Sequence, residues 1–311
     1  MPTKEFEKQY KNHLSGFKDW DQLEHADEWL LFSDNIGKRM SIDEVAVSNG
    51  ELYTIITNKN ACGGKGSLAS ILSGTKASSI VPILTKIPLE KRNTVEEVTL
   101  DMSHSMDAIV RNTFPKSTIV IDRFHVQKLV SEAVQEIRIE LRREALKEEN
   151  ESIRLARKEK QKYRPATYKN GDTKKQLLAR SRYLLFKSTS KWTESQKERS
   201  IILFKEFPEL KEAYEISMMF RSFYEHNQTK NEAKEALNKW YEKVEEKQIE
   251  SFTIVAESIR LHENNILNYF TNRSTNAGAE LFNTKLKGFR GLVRGVRDKK
   301  FFLFRVSKLY G

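Results

Sequence analysis

The sequence contains almost no cysteine and no long apolar run. Cys62 is the single cysteine among 311 residues, so the chain can form neither an internal disulfide nor a cysteine-based zinc ribbon, and a reducing cytosol is the expected compartment. The N-terminal segment Met1–Lys8 lacks the apolar core of a signal peptide, and no apolar stretch approaches the length that crosses a membrane. We therefore predict a soluble intracellular protein without a membrane partner.

Acidic residues are fewer than basic residues in this sequence. The chain has 54 Lys and Arg against 43 Asp and Glu, a formal net charge of +11, which favours an anionic polymer or surface as partner. The excess is concentrated, because Arg154–Lys187 holds 12 basic and two acidic residues and Thr271–Gly311 holds 10 and two. Such segregation is typical of a protein surface that binds along a phosphate backbone. The alternative interpretation of the two basic segments is two solvated helix faces.

Alternating and continuous apolar runs predict a mixed sheet. The chain is long enough for two domains, and its 38% hydrophobic content suits a globular protein. Residues 1–36 are interpreted as a short polar lead-in with one or two helical turns, and Asn49-Gly50 as a hairpin turn. We predict strands at 39–47, 52–57, 67–72, 96–101 and 118–122, with helices at 77–87 and 103–114.

The pattern changes after Phe124. From 126 to 270 only helical periodicity is found, rich in Glu, Lys, Arg, Leu and Ala. We therefore predict an α/β fold in which a core at 37–125 is followed by a helical insertion at 126–270 and by a C-terminal helical part of the core at 271–311.

Three acidic residues stand at positions that could hold metal. Asp43 lies on the first predicted strand of the core, Asp101 ends the fourth, and Glu280 lies on a late helix. An RNase H-like mixed sheet has this order of elements and acids. Carboxylate oxygens suit Mg²⁺, and two ions about 3.5–4 Å apart can stabilise the attacking and leaving oxygens of a phosphodiester.

Two of these assignments have neighbours as alternatives. Glu44 competes with Asp43, since successive strand residues point to opposite faces and the alternation around them does not decide. Asp107 is the less favoured alternative to Asp101, because an exposed acid in the middle of a helix is ordinary.

Accessory polar residues accompany the acids. Glu280, Asn283 and Lys287 are spaced to share one helix face, where they could contact metal and phosphate together, although a solvated Glu is the ordinary alternative. Asp122 ends the fifth predicted strand, and His125 lies three residues later, so the pair could orient a ligand or simply cap the strand and helix ends.

Four segments resemble the signature segments of DDE transposases from bacterial insertion sequences of the ISL-three type. They are Met40-Ser-Ile-Asp-Glu, Val98-Thr-Leu-Asp-Met-Ser, Ile119-Val-Ile-Asp-Arg-Phe-His-Val and Asn276–Lys287, and the resemblance covers roughly 39–311. It implies a catalytic and metal-binding triad of Asp43, Asp101 and Glu280 that uses two Mg²⁺ or Mn²⁺ ions. It also implies an Asp-x-x-His motif at Asp122 and His125, with Asn283 and Lys287 as accessory residues.

The resemblance implies an activity on double-stranded DNA. Water would cleave a phosphodiester at an element end, and the freed 3′-hydroxyl would attack target DNA. A homo-oligomer in the bacterial cytoplasm, associated with the nucleoid, is expected by analogy. We expect the following side chains to contact DNA: Arg154, Arg157, Lys158, Lys174, Lys175, Arg290, Arg294 and Arg297.

Two departures from the family pattern affect this interpretation. Ser274 and Asn276 are spaced differently from the Ser-Asn-Gly and Glu-Gly-x-Asn pattern of the family. The sequence before Asp43 also has no room for the usual zinc ribbon and helix-turn-helix, so we expect a separate end-recognition polypeptide or a truncated copy, and favour the first. The alternatives are an RNase H-like nuclease or resolvase, and a non-catalytic transposase-derived DNA-binding protein.

Overall fold

A computed structural model of the chain describes residues 3–47, 50–292 and 298–311. It contains one six-stranded sheet, in which every predicted strand is present to within about two residues. The strands are β1 (Trp29–Leu31), β2 (Arg39–Ala46), β3 (Leu52–Asn58), β4 (Leu68–Ser73), β5 (Glu97–Leu100) and β6 (Thr118–Ile121).

The sheet is mixed, with the order β1-β4-β3-β2-β5-β6. Strand β3 pairs antiparallel with both β2 and β4, while β5 pairs parallel with β2, and β6 pairs parallel with β5. The predicted α/β class with a mixed sheet is confirmed. In the predicted Asn49-Gly50 turn, Gly50 has a φ of +79°, which glycine adopts without strain, and Asn49 lies outside the described residues.

The edge strand β1 was missed by the sequence analysis. It pairs antiparallel with β4, so residues assigned to the lead-in are part of the sheet. The strand has three residues, Trp-Leu-Leu, which is too short to show an apolar–polar alternation.

Fourteen α-helices accompany the sheet in the part of the chain that the structure describes. They are α1 (Thr3–Gln9), α2 (Ala77–Leu84), α3 (Leu89–Arg92), α4 (His104–Thr113), α5 (Arg123–Lys158), α6 (Lys174–Arg180), α7 (Glu194–Glu206), α8 (Pro208–His226), α9 (Lys230–Lys247), α10 (Glu250–Leu261), α11 (Glu263–Leu267), α12 (Tyr269–Asn272), α13 (Ala277–Leu292) and α14 (Lys299–Tyr310).

The chain divides into two compact units. The sheet unit comprises Met1–Asp122 and Asn264–Gly311, and the helical unit comprises Arg123–Glu263. The helical unit has no strand, as its sequence predicts, and all of its residues are described. The predicted division at 36, 125 and 270 stays a prediction. Among the described residues, no helix combines the length and apolar character needed to cross a membrane.

The core of the sheet unit lies between one face of the sheet and the last two long helices. Val45, Tyr53 and Ile55 from β2 and β3 are buried in one cluster with Phe282 of α13 and Phe302 of α14. Burying each such side chain stabilises the fold by about 1.5–3 kcal/mol. Because side chains alternate along a strand, Asp43 shares the face of Val45, which we call the α13 face.

The N-terminal segment is also part of the sheet unit. Phe17 is buried against Phe301 and Phe304 of α14, with edge-to-face ring contacts at 5.2 and 5.4 Å between centroids. Lys11 forms an ion pair with Asp298, the residue that caps α14. These contacts hold the helix that closes the core over the sheet.

Candidate functional site

Three aspartates occupy the same level of three neighbouring parallel strands. The register of β2 with β5, continued two residues past its last pair, brings Asp43 opposite Asp101. The register of β5 with β6, continued by one residue, brings Asp101 opposite Asp122. Adjacent strands lie about 4.8 Å apart, so the three carboxylates can approach one another. We call these residues the carboxylate row.

Asp43 is held in place by two hydrogen bonds. The side-chain amide of Asn283 on α13 donates to Asp43 Oδ2 at 2.6 Å, and the backbone N–H of Glu44 donates to Oδ1 at 2.8 Å. Asp43 is half-buried, whereas Asn283 is only 7% exposed. A carboxylate fixed at both oxygens has little freedom to turn away from a ligand.

The two alternative acids are located elsewhere. Glu44 is exposed and lies on the sheet face opposite Asp43. Partial desolvation raises the pKa of Glu44, and the charge of Asp43 raises it further. Asp107 lies on α4, where it forms an ion pair with Arg111 at 2.5 Å and accepts a hydrogen bond from Asn265. These surroundings favour Asp43 and Asp101 as the site residues.

Asp122 connects β6 to the start of α13. The carboxyl is 2% exposed, and its Oδ1 accepts a hydrogen bond from the backbone N–H of Asn276 at 3.2 Å. Asn276 immediately precedes α13, and its carbonyl accepts the first helical hydrogen bond, from the backbone N–H of Glu280, at 3.0 Å. Asp122 therefore fixes the end of the helix that carries Glu280.

Glu280 faces the carboxylate row from the first turn of α13. One of its carboxylate oxygens lies within 4.8 Å of a carboxylate oxygen of Asp122. Glu280 is exposed, while Asp122 is buried. Two carboxylates this close repel one another unless a proton or a cation lies between them.

The predicted polar face of α13 is only partly directed at the site. Asn283 reaches Asp43, but Lys287, one turn further along, is exposed. His125 belongs to the helical unit, where it lies half-buried on the first turn of α5, three residues along the chain from Asp122. The roles of Lys287 and His125 stay predictions.

The basic residues expected at DNA differ in their surroundings. Three are exposed near the end of α5, and one of these, Arg154, lies 3.5 Å from Glu151. Lys174 and Lys175 form ion pairs with Glu148 and Glu149, at 2.7 and 2.6 Å. The other two exposed residues near the end of α5 are Arg157 and Lys158. The guanidinium carbon of Arg290 lies 4.7 Å from the centre of the Phe302 ring. Arg294 and Arg297 lie outside the described residues.

Two residues near the carboxylate row were missed by the sequence analysis. Lys59 lies in the β3–β4 loop and forms an ion pair with the buried Glu97 of β5. Asn276 begins the last signature segment, but the sequence did not predict its contact with Asp122. The polar alternation of Glu97, Thr99 and Asp101 was a usable signal for a polar face, but no sequence signal connects Lys59 with a strand 38 residues later.

The donor atoms of this site suit a hard divalent cation. Carboxylate and amide oxygens are the ligands that Mg²⁺ and Mn²⁺ prefer. The short distance between the carboxylates of Asp122 and Glu280 and the fixed orientation of Asp43 also suit a cation. The residues therefore fit a divalent metal centre.

The Asn283–Asp43 contact predicts an effect on metal affinity. Replacing Asn283 by alanine should weaken Mn²⁺ binding about 10- to 100-fold, because a ligand that loses its orienting hydrogen bond binds less well. Isothermal titration with Mn²⁺ measures this effect. Thr284→Ala is the matched control, since Thr284 is exposed and its hydroxyl donates only to the Glu280 carbonyl of the same helix. Equal affinities of Asn283→Ala and wild type would contradict the assignment.

Comparison with known families gives the chain its identity. One family model, described as Transposase and of the ISL-three DDE type, matches residues 40–306. No curated protein and no solved structure is detectably similar to the chain. The match spans both units and includes the three aspartates of the carboxylate row and Glu280. Family membership implies DNA binding and the use of divalent metal, and it agrees with the RNase H-like order of the sheet. The chain is a member of the ISL-three type family of transposases.

Proposed function

We propose that this transposase cleaves DNA at the ends of an insertion sequence and joins the freed strands to target DNA by a DDE mechanism. The observation that carries the proposal is the alignment of Asp43 with Asp101 on adjacent strands, with Glu280 brought to the same edge by α13. These three carboxylates are assigned as the ligands of two Mg²⁺ or Mn²⁺ ions. When bound, the ions supply charge stabilisation to the attacking and leaving oxygens.

The protein's own groups prepare the site for this chemistry. Asn283 orients Asp43, and Asp122 fixes the start of α13 so that Glu280 stays near the row. Because these groups are set by backbone and buried contacts, little rearrangement is needed when a phosphodiester binds. Asp122 and Asn283 thus act as positioning residues in the proposal, and Asp43, Asp101 and Glu280 as the catalytic ones.

Basic residues would hold the DNA. We assign this role first to Arg154, Arg157 and Lys158, whose side chains are exposed at the end of α5. Lys174 and Lys175 would have to exchange their glutamate partners for phosphate, so we expect a smaller contribution from them. A homo-oligomer acting on paired ends, and a separate polypeptide for end recognition, complete the proposal.

The test is a cleavage and joining assay with the full chain. Labelled duplex fragments containing the DNA that adjoins the reading frame on each side are incubated with a target plasmid in Mg²⁺, Mn²⁺ or EDTA. We expect metal-dependent nicking that leaves a 3′-hydroxyl, followed by joining to the plasmid. The assay is repeated with the product of any adjoining reading frame added, because end recognition is proposed to need a second chain.

Each alternative function gives a different result in the same assay. Cleavage without joining, and without preference for the adjoining DNA, would favour a nuclease or resolvase. Retarded migration of the fragments without cleavage, with the second chain present, would favour a non-catalytic DNA-binding protein and would contradict the proposal.

A further inference from the structure

A largely buried lysine side chain lies beside the carboxylate row on the α13 face. Lys59 is the first residue after β3, and its side chain is 14% exposed. Its ammonium nitrogen lies 3.6 Å from Glu97 Oε1 and donates a hydrogen bond to the Thr99 hydroxyl. Glu97 itself is 4% exposed, and its other oxygen accepts a hydrogen bond from Asn272 Nδ2 at 3.0 Å. The cation is therefore held at a fixed point in the fold.

The strand geometry relates this point to the metal ligands. Glu97 and Thr99 precede Asp101 by four and two residues on β5, so the three share one face. Two residues of strand span about 6.6 Å, which sets the distance between the level of Thr99 and the carboxylate row. The contact of Lys59 with Thr99 thus lies two residues before the carboxylate row along the direction of β5.

Electrostatic coupling extends from Lys59 to the row. Burial lowers the pKa of Lys59, while the charges of Glu97 and Asp122 raise it part of the way back and the charge of Arg39 lowers it. Arg39 lies opposite Glu97 in the β2–β5 register but is exposed, so water screens its charge. Of these two cations, Lys59 is therefore the one that is largely shielded from water, with its ammonium held against Glu97.

We propose that Lys59 is the built-in counter-cation of the carboxylate row, which keeps the row assembled without metal and lowers the affinity of the row for divalent cations. The inference rests on the proposed function only in placing the metal at Asp43, Asp101 and Glu280. Lys59 is assigned as a positioning residue, because its contacts with Glu97 and Thr99 hold its charge near these ligands. With part of its negative charge neutralised by Lys59, the site can bind and release divalent ions while the carboxylates keep their positions.

The test compares Mn²⁺ binding and thermal unfolding of Lys59→Met with those of the wild type. Removing a positive charge within about 10 Å of a doubly charged ion should tighten Mn²⁺ binding by about tenfold. In EDTA the unfolding temperature should fall, because Glu97 loses its buried partner, and Mn²⁺ should raise it by more than in the wild type. Electron paramagnetic resonance of free Mn²⁺ measures the affinity directly.

Two further variants keep the outcome interpretable. Lys65→Met removes the same charge from an exposed position of the same loop and should leave the affinity within about twofold of wild type, because solvent screens its charge. If Lys59→Met does not fold, the double variant Lys59→Met/Glu97→Gln is compared with Glu97→Gln, since the double variant leaves no buried charge unpaired. The tighter Mn²⁺ binding should persist in that comparison.

The outcomes separate this proposal from the proposed function. Unchanged Mn²⁺ affinity combined with lower stability would make Lys59 a structural ion-pair partner only and overturn the inference. Absence of Mn²⁺ binding in the wild type would overturn both proposals. Normal Mn²⁺ binding that tightens in Lys59→Met, together with a failure of strand joining, would support the inference and contradict only the proposed reaction.

Discussion

Replacing Asp101 by asparagine is expected to lower the rate of DNA nicking by about a thousandfold or more, equivalent to about 4 kcal/mol of transition-state stabilisation. Asparagine keeps the shape of aspartate but removes the charge that a hard cation requires. Asp43→Asn and Glu280→Gln should have effects of similar size, because each removes one carboxylate from the same site. The rate of Mn²⁺-dependent nicking under single-turnover conditions measures the loss.

Neighbouring acids provide the matched controls for these variants. Asp107→Asn removes the same charge six residues from Asp101, on a helix where Asp107 pairs with Arg111. Glu44→Gln does so next to Asp43, on the opposite face of β2. Both controls should retain nicking within about threefold, since neither side chain belongs to the carboxylate row. If Asp101→Asn were as active as Asp107→Asn, the carboxylate row would not be the catalytic site.

Replacing Trp240 by alanine is expected to destabilise the helical unit by about 3–5 kcal/mol. Trp240 is 0% exposed, its indole N–H donates to the Ile216 carbonyl at 3.1 Å, and its ring packs edge-to-face on Phe220 with 4.9 Å between centroids. The substitution leaves a cavity and an acceptor without its donor. Urea unfolding followed by far-ultraviolet circular dichroism measures the loss.

Leu261→Ala is the control for the tryptophan variant, because Leu261 is 74% exposed on α10 of the same unit. Its effect should stay within about 0.5 kcal/mol. Since the chain has two units, the unfolding curve is fitted with two transitions, and the loss should appear in one of them. A loss below about 1 kcal/mol for Trp240→Ala would contradict the packing described here.

The elements that could be predicted are those with a local signal. Strands β2, β3 and β4 are long enough to give a strand signal and are separated by glycine-containing loops. Strand β5 alternates polar and apolar residues, and β6 is a nearly continuous apolar run that is followed by a helix. Asp43 and Asp101 could be named because their strands could be placed. The three-residue β1 offers no such pattern, and only its pairing with β4 makes it a strand.

The parts that could not be predicted depend on contacts between distant segments. The choice between Asp43 and Glu44 depends on which face of β2 meets α13, which begins 234 residues after Asp43. The ion pairs of Lys174 and Lys175 join residues 26 apart across a loop, so a basic cluster in the sequence is partly neutralised in the fold. Lys59 meets Glu97 only because β2 lies between β3 and β5.

The order of the two units along the chain has a consequence during synthesis. Asp43, Asp101 and Asp122 leave the ribosome early, but α13 and α14 follow only after the whole helical unit has been made. Until then the nascent chain lacks Glu280, the amide that orients Asp43, and the aromatic side chains that cover the sheet. During synthesis of the helical unit this sheet face is therefore exposed, and exposed apolar surfaces of incomplete chains are prone to aggregate. The same delay means that a nascent chain without α13 lacks Glu280. If DNA is cleaved as proposed, this activity can arise only after the late helices have been made.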